Sequence, residues 1–287
     1  GVVREQGALI DIDNDGDLDF WSDEATADGV QRLFQNNGSG TFTDVGNKGF
    51  SGPSTNEGLA AVDTDQDGWC DLVVFSGNNN WIGENSGGST ISITGTTSSS
   101  YGLNDSGDYG SRGYCASGDV NNDGRLDMYY HYGSGKVFLS DGDGTYTNNN
   151  YTISTTTGDS DEVGSAWGDY DNDGDLDLFV PRLDEGCTGY LWRNDRNWTS
   201  GSGNFASVAS SAGISLNTSI NYTPDNPGTR SCCWGDYDND GDLDLFVLGA
   251  NGNNYLYQNQ GSGNLSRVAE GIGMIDDGSD ACFVDYD

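Results

Sequence analysis

A nine-residue phrase of fixed spacing, D-x-[DN]-x-D-G-x-x-D, returns five times along the 287-residue chain and constrains its fold more than any other feature. It reads DIDNDGDLD from Asp11, DTDQDGWCD from Asp63, DVNNDGRLD from Asp119 and DYDNDGDLD from both Asp169 and Asp236, and a sixth copy opens with DYD at Asp285. Successive copies start 52, 56, 50, 67 and 49 residues apart. Self-similarity at such a period means that one supersecondary unit is repeated, each copy burying its faces against its neighbours.

The flanks say which unit. A short apolar or aromatic segment precedes the loops (GALI, LAAV, SAWG, CCWG, ACFV) and an alternating one follows (LDLFV, CDLVVF, LDMYYHY), a pattern of strands rather than helices. Further on, an aromatic segment enters a glycine turn and leaves through an apolar residue: LFQNNGSGTF at 33, VFLSDGDGTY at 137, YLYQNQGSGNL at 255, and a stretched form, YLWRNDRNWTSGSGNF, at 190. These are hairpin signatures. Each repeat then holds four short strands, the size of one propeller blade. The expected fold is all-β, a single repeat domain over residues 1–287 built as a β-propeller of about five to six four-stranded blades. Five full repeats and a fragment suit either a ring whose two ends share a blade or an excerpt from a longer array. The longest interval carries SLNTSINYTPDNPGTRS, residues 215–231, with the character of a long surface loop, the kind of place where specific function tends to sit.

Charge narrows the partners. With 46 Asp and Glu against 11 Lys and Arg, and a net charge of -35, the chain repels phosphate backbones and anionic membrane surfaces, so no nucleic acid is expected. No run of about 20 apolar residues marks a membrane span, and the chain opens on Gly1 without a signal-peptide pattern. Cations are the natural partners. The loop offers side-chain oxygens at positions 1, 3, 5 and 9, with a glycine at 6 for a sharp turn. Calcium takes about six to eight hard oxygens in flexible geometry, and the first half of an EF-hand loop uses similar positions together with a backbone carbonyl at 7. Magnesium demands a stricter octahedron, and zinc or copper would want His or thiolate, whereas the chain has one histidine, His131. An EF-hand itself is excluded, because its twelfth position should be Glu and here is Ser22, Val74, Tyr130, Val180 and Val247.

On these motifs, above all AWGDYDNDGDLDLFV at 166–180, the chain resembles the FG-GAP/VCBS repeat family, which includes the calcium-binding propellers of integrin alpha subunits. The resemblance covers nearly the whole chain. It implies about five calcium ions, one per blade, held between the first two strands. The implied ligands are Asp11, Asp13, Asp15 and Asp19; Asp63, Asp65, Asp67 and Asp71; Asp119, Asn121, Asp123 and Asp127; Asp169, Asp171, Asp173 and Asp177; and Asp236, Asp238, Asp240 and Asp244. Asp17, Trp69, Arg125, Asp175 and Asp242 would contribute backbone carbonyls. The third loop departs from the pattern through Asn121 and Arg125 and should be the weakest.

Other features are less specific. Cys70, Cys115, Cys187, Cys232, Cys233 and Cys282 form an even set without zinc spacing and suggest disulfides in an oxidising compartment, with Cys232 and Cys233 on opposite strand faces. Sequons at Asn37, Asn104, Asn150, Asn197, Asn217, Asn221 and Asn264 allow glycosylation in a secretory host. Trp167 and Trp234 repeat as core positions, Trp192 and Trp198 near a loop suit packing or sugar stacking, and His131 reads as a strand residue. No nucleophile with a paired base stands out, so no enzyme is expected. The resulting expectation is an extracellular recognition or adhesion module for a protein or glycan, with calcium acting structurally. The rival is a structural subunit that assembles with copies of itself, and a glycan-active enzyme comes third.

Overall fold

The computed structural model describes residues 7–22, 31–48, 50, 58–75, 80–87, 93–97, 101–103, 114–131, 135–147, 152–153, 164–181, 189–195, 205–214, 229–249, 254–270 and 281–283. Among them all regular structure is β, and no helix is long and apolar enough to cross a membrane. The first sheet joins β1 (Gly7–Ile10), β2 (Asp19–Ser22), β3 (Arg32–Asn36) and β4 (Phe42–Asp44) in that order. The second joins β5 (Gly58–Val62), β6 (Asp71–Phe75), β7 (Trp81–Asn85) and β8 (Ile93–Thr97). The third holds β9 (Tyr114–Gly118), β10 (Asp127–His131), β11 (Gly135–Ser140) and β12 (Tyr146–Thr147), with β13 (Thr152–Ile153) also paired to β11. The fourth is β14 (Ala166–Gly168), β15 (Asp177–Val180), β16 (Tyr190–Asn194) and β17 (Phe205–Ser207), and the fifth β18 (Thr229–Gly235), β19 (Asp244–Gly249), β20 (Tyr255–Asn259) and β21 (Leu265–Glu270). The four-strand, propeller-like repeat expected from the sequence is therefore present five times. The start of a sixth copy, at Asp285, lies outside the described residues.

Each nine-residue loop joins the first two strands of its sheet, and among the described residues glycine turns close β3 to β4, β11 to β12 and β20 to β21. In those turns Asn37 N donates to Thr41 O at 3.2 Å, Asp141 N to Thr145 O at 2.9 Å and Gln260 N to Asn264 O at 2.8 Å. The sheets fall into two compact units, Gly1–Ser117 with Gly124–Thr152, and Gly118–Asp123 with Ile153–Asp287.

The second strands are apolar on both faces, where alternation with one solvated face would have been the simpler reading. Every residue of β6, β15 and β19 is buried. Stacking is the reason. In the first unit Leu72 and Val74 pack with Ile10, Trp21 and Leu33 of the first sheet, while Val73 and Phe75 join Met128, Tyr130 and Phe138 of the third. Phe75 stacks on Tyr130 with ring centroids 4.5 Å apart. In the second unit Phe179 and Leu191 meet Leu245, Val247, Tyr255 and Tyr257. Each such side chain contributes about 1.5–3 kcal/mol on burial, and a sheet with a neighbour on each face collects it twice.

Disulfides are not formed among the described cysteines: Cys70, Cys115, Cys232, Cys233 and Cys282 are thiols, and Cys187 lies outside the described residues. Cys232 is spent as a core residue, and the adjacent Cys233 is half-buried, as alternation along β18 requires. Trp234 and Trp167 are half-buried rather than enclosed. Trp234 stacks on Tyr170 at 6.3 Å and lies edge-on to Phe179, and Trp167 tilts against Phe205 at 6.0 Å. Of the other candidates, Trp192 stacks on Tyr190 at 5.9 Å, and the backbone of His131 is in β10. Asn37 and Asn264 are exposed in hairpin turns, whereas Trp198, residues 215–228 and the remaining sequons are outside the described residues.

Candidate metal centres

The loop is shaped by its own carboxylates. In the first, second, fourth and fifth copies the position 1 Asp (Asp11, Asp63, Asp169, Asp236) accepts two backbone amides. One comes from position 5 at 3.0–3.1 Å and one from the position 6 glycine at 2.9–3.1 Å. Asp15, Asp67, Asp173 and Asp240 at position 5 in turn accept the position 7 amide at 2.9–3.0 Å. This winding needs two departures from ordinary backbone, separated by one residue. Position 4 is left-handed (Asn14 φ 56, Gln66 φ 61, Asn172 φ 59, Asn239 φ 58), and position 6 reaches φ 88 to 93 at Gly16, Gly68, Gly174 and Gly241. Asn tolerates the first and only Gly takes the second without strain.

Position 9 opens the second strand and is its deepest polar group. Asp19, Asp127, Asp177 and Asp244 are 0% exposed and Asp71 is 2%. One oxygen of each accepts an amide from the end of the third strand: Asn36 at 2.7 Å, and Asn85, Ser140, Asn194 and Asn259 at 2.8 Å. The other oxygen accepts the position 2 amide of Ile12, Thr64, Tyr170 or Tyr237 at 2.9–3.3 Å. Burial still dominates the titration of four of them. It pushes Asp19, Asp71 and Asp244 up from the ordinary carboxylate range and Asp177 to about 8, with the position 3 and 5 carboxylates adding repulsion.

Among the described residues the result is four knots of acid. Asp11, Asp13 and Asp15; Asp63, Asp65 and Asp71; Asp169, Asp171 and Asp177; and Asp236, Asp238 and Asp244 each offer carboxylate oxygens lying within 4.8 Å of one another. Two oxygens are enclosed with no hydrogen-bond donor at all, Asp13 Oδ1 and Asp171 Oδ1. A buried carboxylate oxygen among other carboxylates, lacking a donor, is costly unless a cation meets it. The residues present therefore fit a hard metal ion. Asp17 and Asp175 at position 7 are directed elsewhere: Asp17 Oδ2 lies against Gly38, and Asp175 accepts Asn122 Nδ2 at 2.8 Å.

The third loop is divided between the two units after Asp123. In one unit Asp119 and Asn121 accept the Asp123 amide at 2.9 and 3.0 Å, and Asn121 Nδ2 donates to Asp123 Oδ2 at 2.8 Å. In the other, Arg125 Nε donates to Ser140 O at 2.8 Å and Asp127 takes the Ser140 amide.

Sequence reasoning overlooked what ties loop to loop. Asn85 Nδ2 donates to Ile12 O of the preceding loop at 2.9 Å, Asn194 Nδ2 to Val120 O at 2.8 Å, and Asn259 Nδ2 to Tyr170 O at 2.7 Å. Position 4 works in the other direction, Asn14 Nδ2 donating to Gly68 O at 2.8 Å and Asn172 Nδ2 to Asp242 Oδ1 at 2.5 Å. The signal was there in the recurring QN, EN, RN and QN of the third strands, 17, 14, 17 and 15 residues beyond position 9.

Comparison with known proteins agrees with this geometry. The chain matches the FG-GAP-like repeat over residues 11–74, 63–130, 119–180 and 236–287. No curated protein matches it by sequence. Among solved structures, a lectin of Agrocybe aegerita, studied for specific recognition of non-reducing terminal N-acetylglucosamine, is similar at 17% identity and a TM-score of 0.63 over 94% of this chain. The V. cholerae biofilm matrix protein Bap1 is similar at 16% identity and a TM-score of 0.48 over 93% of it. The chain spans 66% of the lectin's length and 39% of the matrix protein's. At such identities the lectin likeness speaks for the fold alone. The repeated loop, the four-strand sheets it opens and the residues matched lead to one assignment: the chain belongs to the FG-GAP-like repeat family.

Proposed function

We propose that the chain is an extracellular, calcium-stabilised propeller domain that recognises a glycan or protein, with calcium in a structural role. The observation that carries the metal reading is the set of four carboxylate clusters, two of them holding an enclosed oxygen without a donor. Positions 1, 3, 5 and 9 would hold the ion with the position 7 carbonyl, and the ion, when bound, neutralises the acids and fixes the loop to its second strand. Calcium is favoured over magnesium because the ligands are numerous and all oxygen, and calcium accepts irregular coordination where magnesium demands a strict octahedron.

The recognition reading rests on division of labour. The repeated loops are committed to holding their own sheets, so a partner is left to the segments that do not repeat, 215–231 foremost. Likeness in fold to an N-acetylglucosamine-recognising lectin favours glycans as the first ligand class to test. An acidic surface with only two lysines, Lys48 and Lys136, and abundant Asn, Ser and Thr supports an extracellular setting.

The experiment is a melting scan of the full chain after chelation, with calcium or magnesium added back, followed by a glycan array in calcium. A fall in melting temperature with EDTA, reversed by calcium and not by magnesium, is expected. An unchanged scan would remove the metal reading. Calcium-dependent glycan signal supports recognition, and a silent array with filaments in electron micrographs would replace it with assembly.

A further inference from the structure

The residue just before each third-strand Asn stands in one register throughout. Pairing of Phe20 with Phe34, Leu72 with Gly83, Leu178 with Trp192 and Leu245 with Tyr257 sets Gln35, Glu84, Arg193 and Gln258 opposite the position 9 Asp. Side chains alternate along a strand. While the Asn turns to the loop carbonyls, its predecessor therefore faces the other side. Two of them show what lies there: Gln35 Nε2 donates to Asp13 Oδ2, and Gln258 Nε2 donates to Asp238 Oδ2 at 2.5 Å. Both acceptors are position 3 carboxylates.

The same place carries other charges in the other repeats. Arg193 is held by Asp195, its Nε donating to Oδ1 at 2.7 Å, and the shared register sets it opposite Asp177, on the side of its sheet where Gln35 and Gln258 meet the position 3 carboxylates of their own loops. Glu84 accepts the Tyr101 hydroxyl at 2.7 Å, and a Cβ placed on Gly144 would lie 3.9 Å from the Tyr101 ring and 3.7 Å from Asp65 Cβ, so the Tyr101 ring and Asp65 approach the same backbone. An arginine, a glutamate and two glutamines thus occupy one position beside otherwise similar loops.

We propose that this third-strand residue sets the cation affinity of its loop, making the loops a graded series. The loop beside Glu84 is tightest, those beside Gln35 and Gln258 are intermediate, and the loop at 169–177 beside Arg193 is weaker than they are. Glutamine adds no charge but orients the position 3 carboxylate, glutamate adds attraction, and arginine opposes a divalent ion. One unit of charge added or removed beside the loop is expected to change its affinity for a divalent ion about tenfold, which corresponds to about 1.4 kcal/mol. The inference rests on the reading that these loops bind a cation.

The test is calcium titration calorimetry on the metal-stripped full chain. Arg193→Gln, which installs the residue that two sister strands already use, is expected to tighten one binding step about tenfold, an effect that shrinks as salt is raised from about 0.05 to about 0.5 M. Adding Asp169→Asn should abolish that step, which assigns it to this loop. Arg193→Lys should behave as the wild type, and Gln258→Arg should weaken a different step by a similar factor. An Arg193→Gln isotherm identical to the wild type, or Lys tightening as much as Gln, overturns the proposal. A wild-type chain that takes up no calcium overturns the metal reading instead, so the two failures are distinct.

Discussion

Replacing Asn259 by Ala tests the loop-to-loop tie directly. Its side chain, 0% exposed, makes three hydrogen bonds: Nδ2 donates to Tyr170 O at 2.7 Å and Leu243 O at 3.1 Å, and Oδ1 accepts the Gly261 amide at 3.2 Å. Alanine leaves the backbone amide that serves Asp244 in place but deserts one carbonyl in the interior, Tyr170 O, and one that is part-buried, Leu243 O. A buried group left unmet costs about 1–3 kcal/mol, and the half-exposed Gly261 amide can turn to water, so the loss should be about 3–5 kcal/mol. For a unit of this size that is on the order of 10–15 °C in melting temperature. Asn36 supplies the control. It is half-buried and its amide reaches only Leu18 O at 3.2 Å, so Asn36→Ala should cost about 1 kcal/mol. Urea denaturation followed by tryptophan fluorescence, with calcium in excess so that loop occupancy is constant, reads both. Asn259→Asp adds a check of chemistry over shape, because it sets an oxygen against two carbonyls and should be no milder than Ala. Asn259→Ala within about 1 kcal/mol of the wild type, or equal to Asn36→Ala, would refute the reasoning.

In the metal-free protein the raised carboxyls reverse the usual acid sensitivity. Asp177 titrates near 8 when folded against about 3.9 unfolded, so the folded state holds the extra proton, and stability should be highest below about pH 4 from this group and fall as pH rises to about 8. Asp19, Asp71 and Asp244 act with the same sign. Melting temperature against pH in EDTA checks this, a rising curve would contradict it, and calcium should flatten it by favouring the ionised form. Gly102 and Gly241 separate steric from conformational cost. A Cβ on Gly102, at φ +77, would stand 1.8 Å from Tyr146 O, whereas one on Gly241, at φ +93, would meet nothing within 4 Å. Gly102→Ala should therefore lose about 3 kcal/mol or more and Gly241→Ala about 1–2 in the same denaturation assay, and equal losses would argue against the close approach at Tyr146.

What could be read from the chain alone is what its local interactions encode. An Asp that accepts amides four and five residues ahead, and the Asn and Gly that permit that winding, are specified within nine residues. The loop and its acids are therefore legible without any fold. The hairpins are equally local. What could not be read depends on groups brought from afar. The Asn259 tie spans 89 residues and the Asn85 tie 73, and neither partner's side chain hints at the other, because the acceptor is a backbone carbonyl that every residue carries. The same holds for Arg193, whose meaning comes from a strand register that sets it opposite Asp177, and for Cys232, which packing turned from a candidate bridge into a core residue. Short-range geometry is written in residue types, but only packing decides which distant groups must satisfy one another.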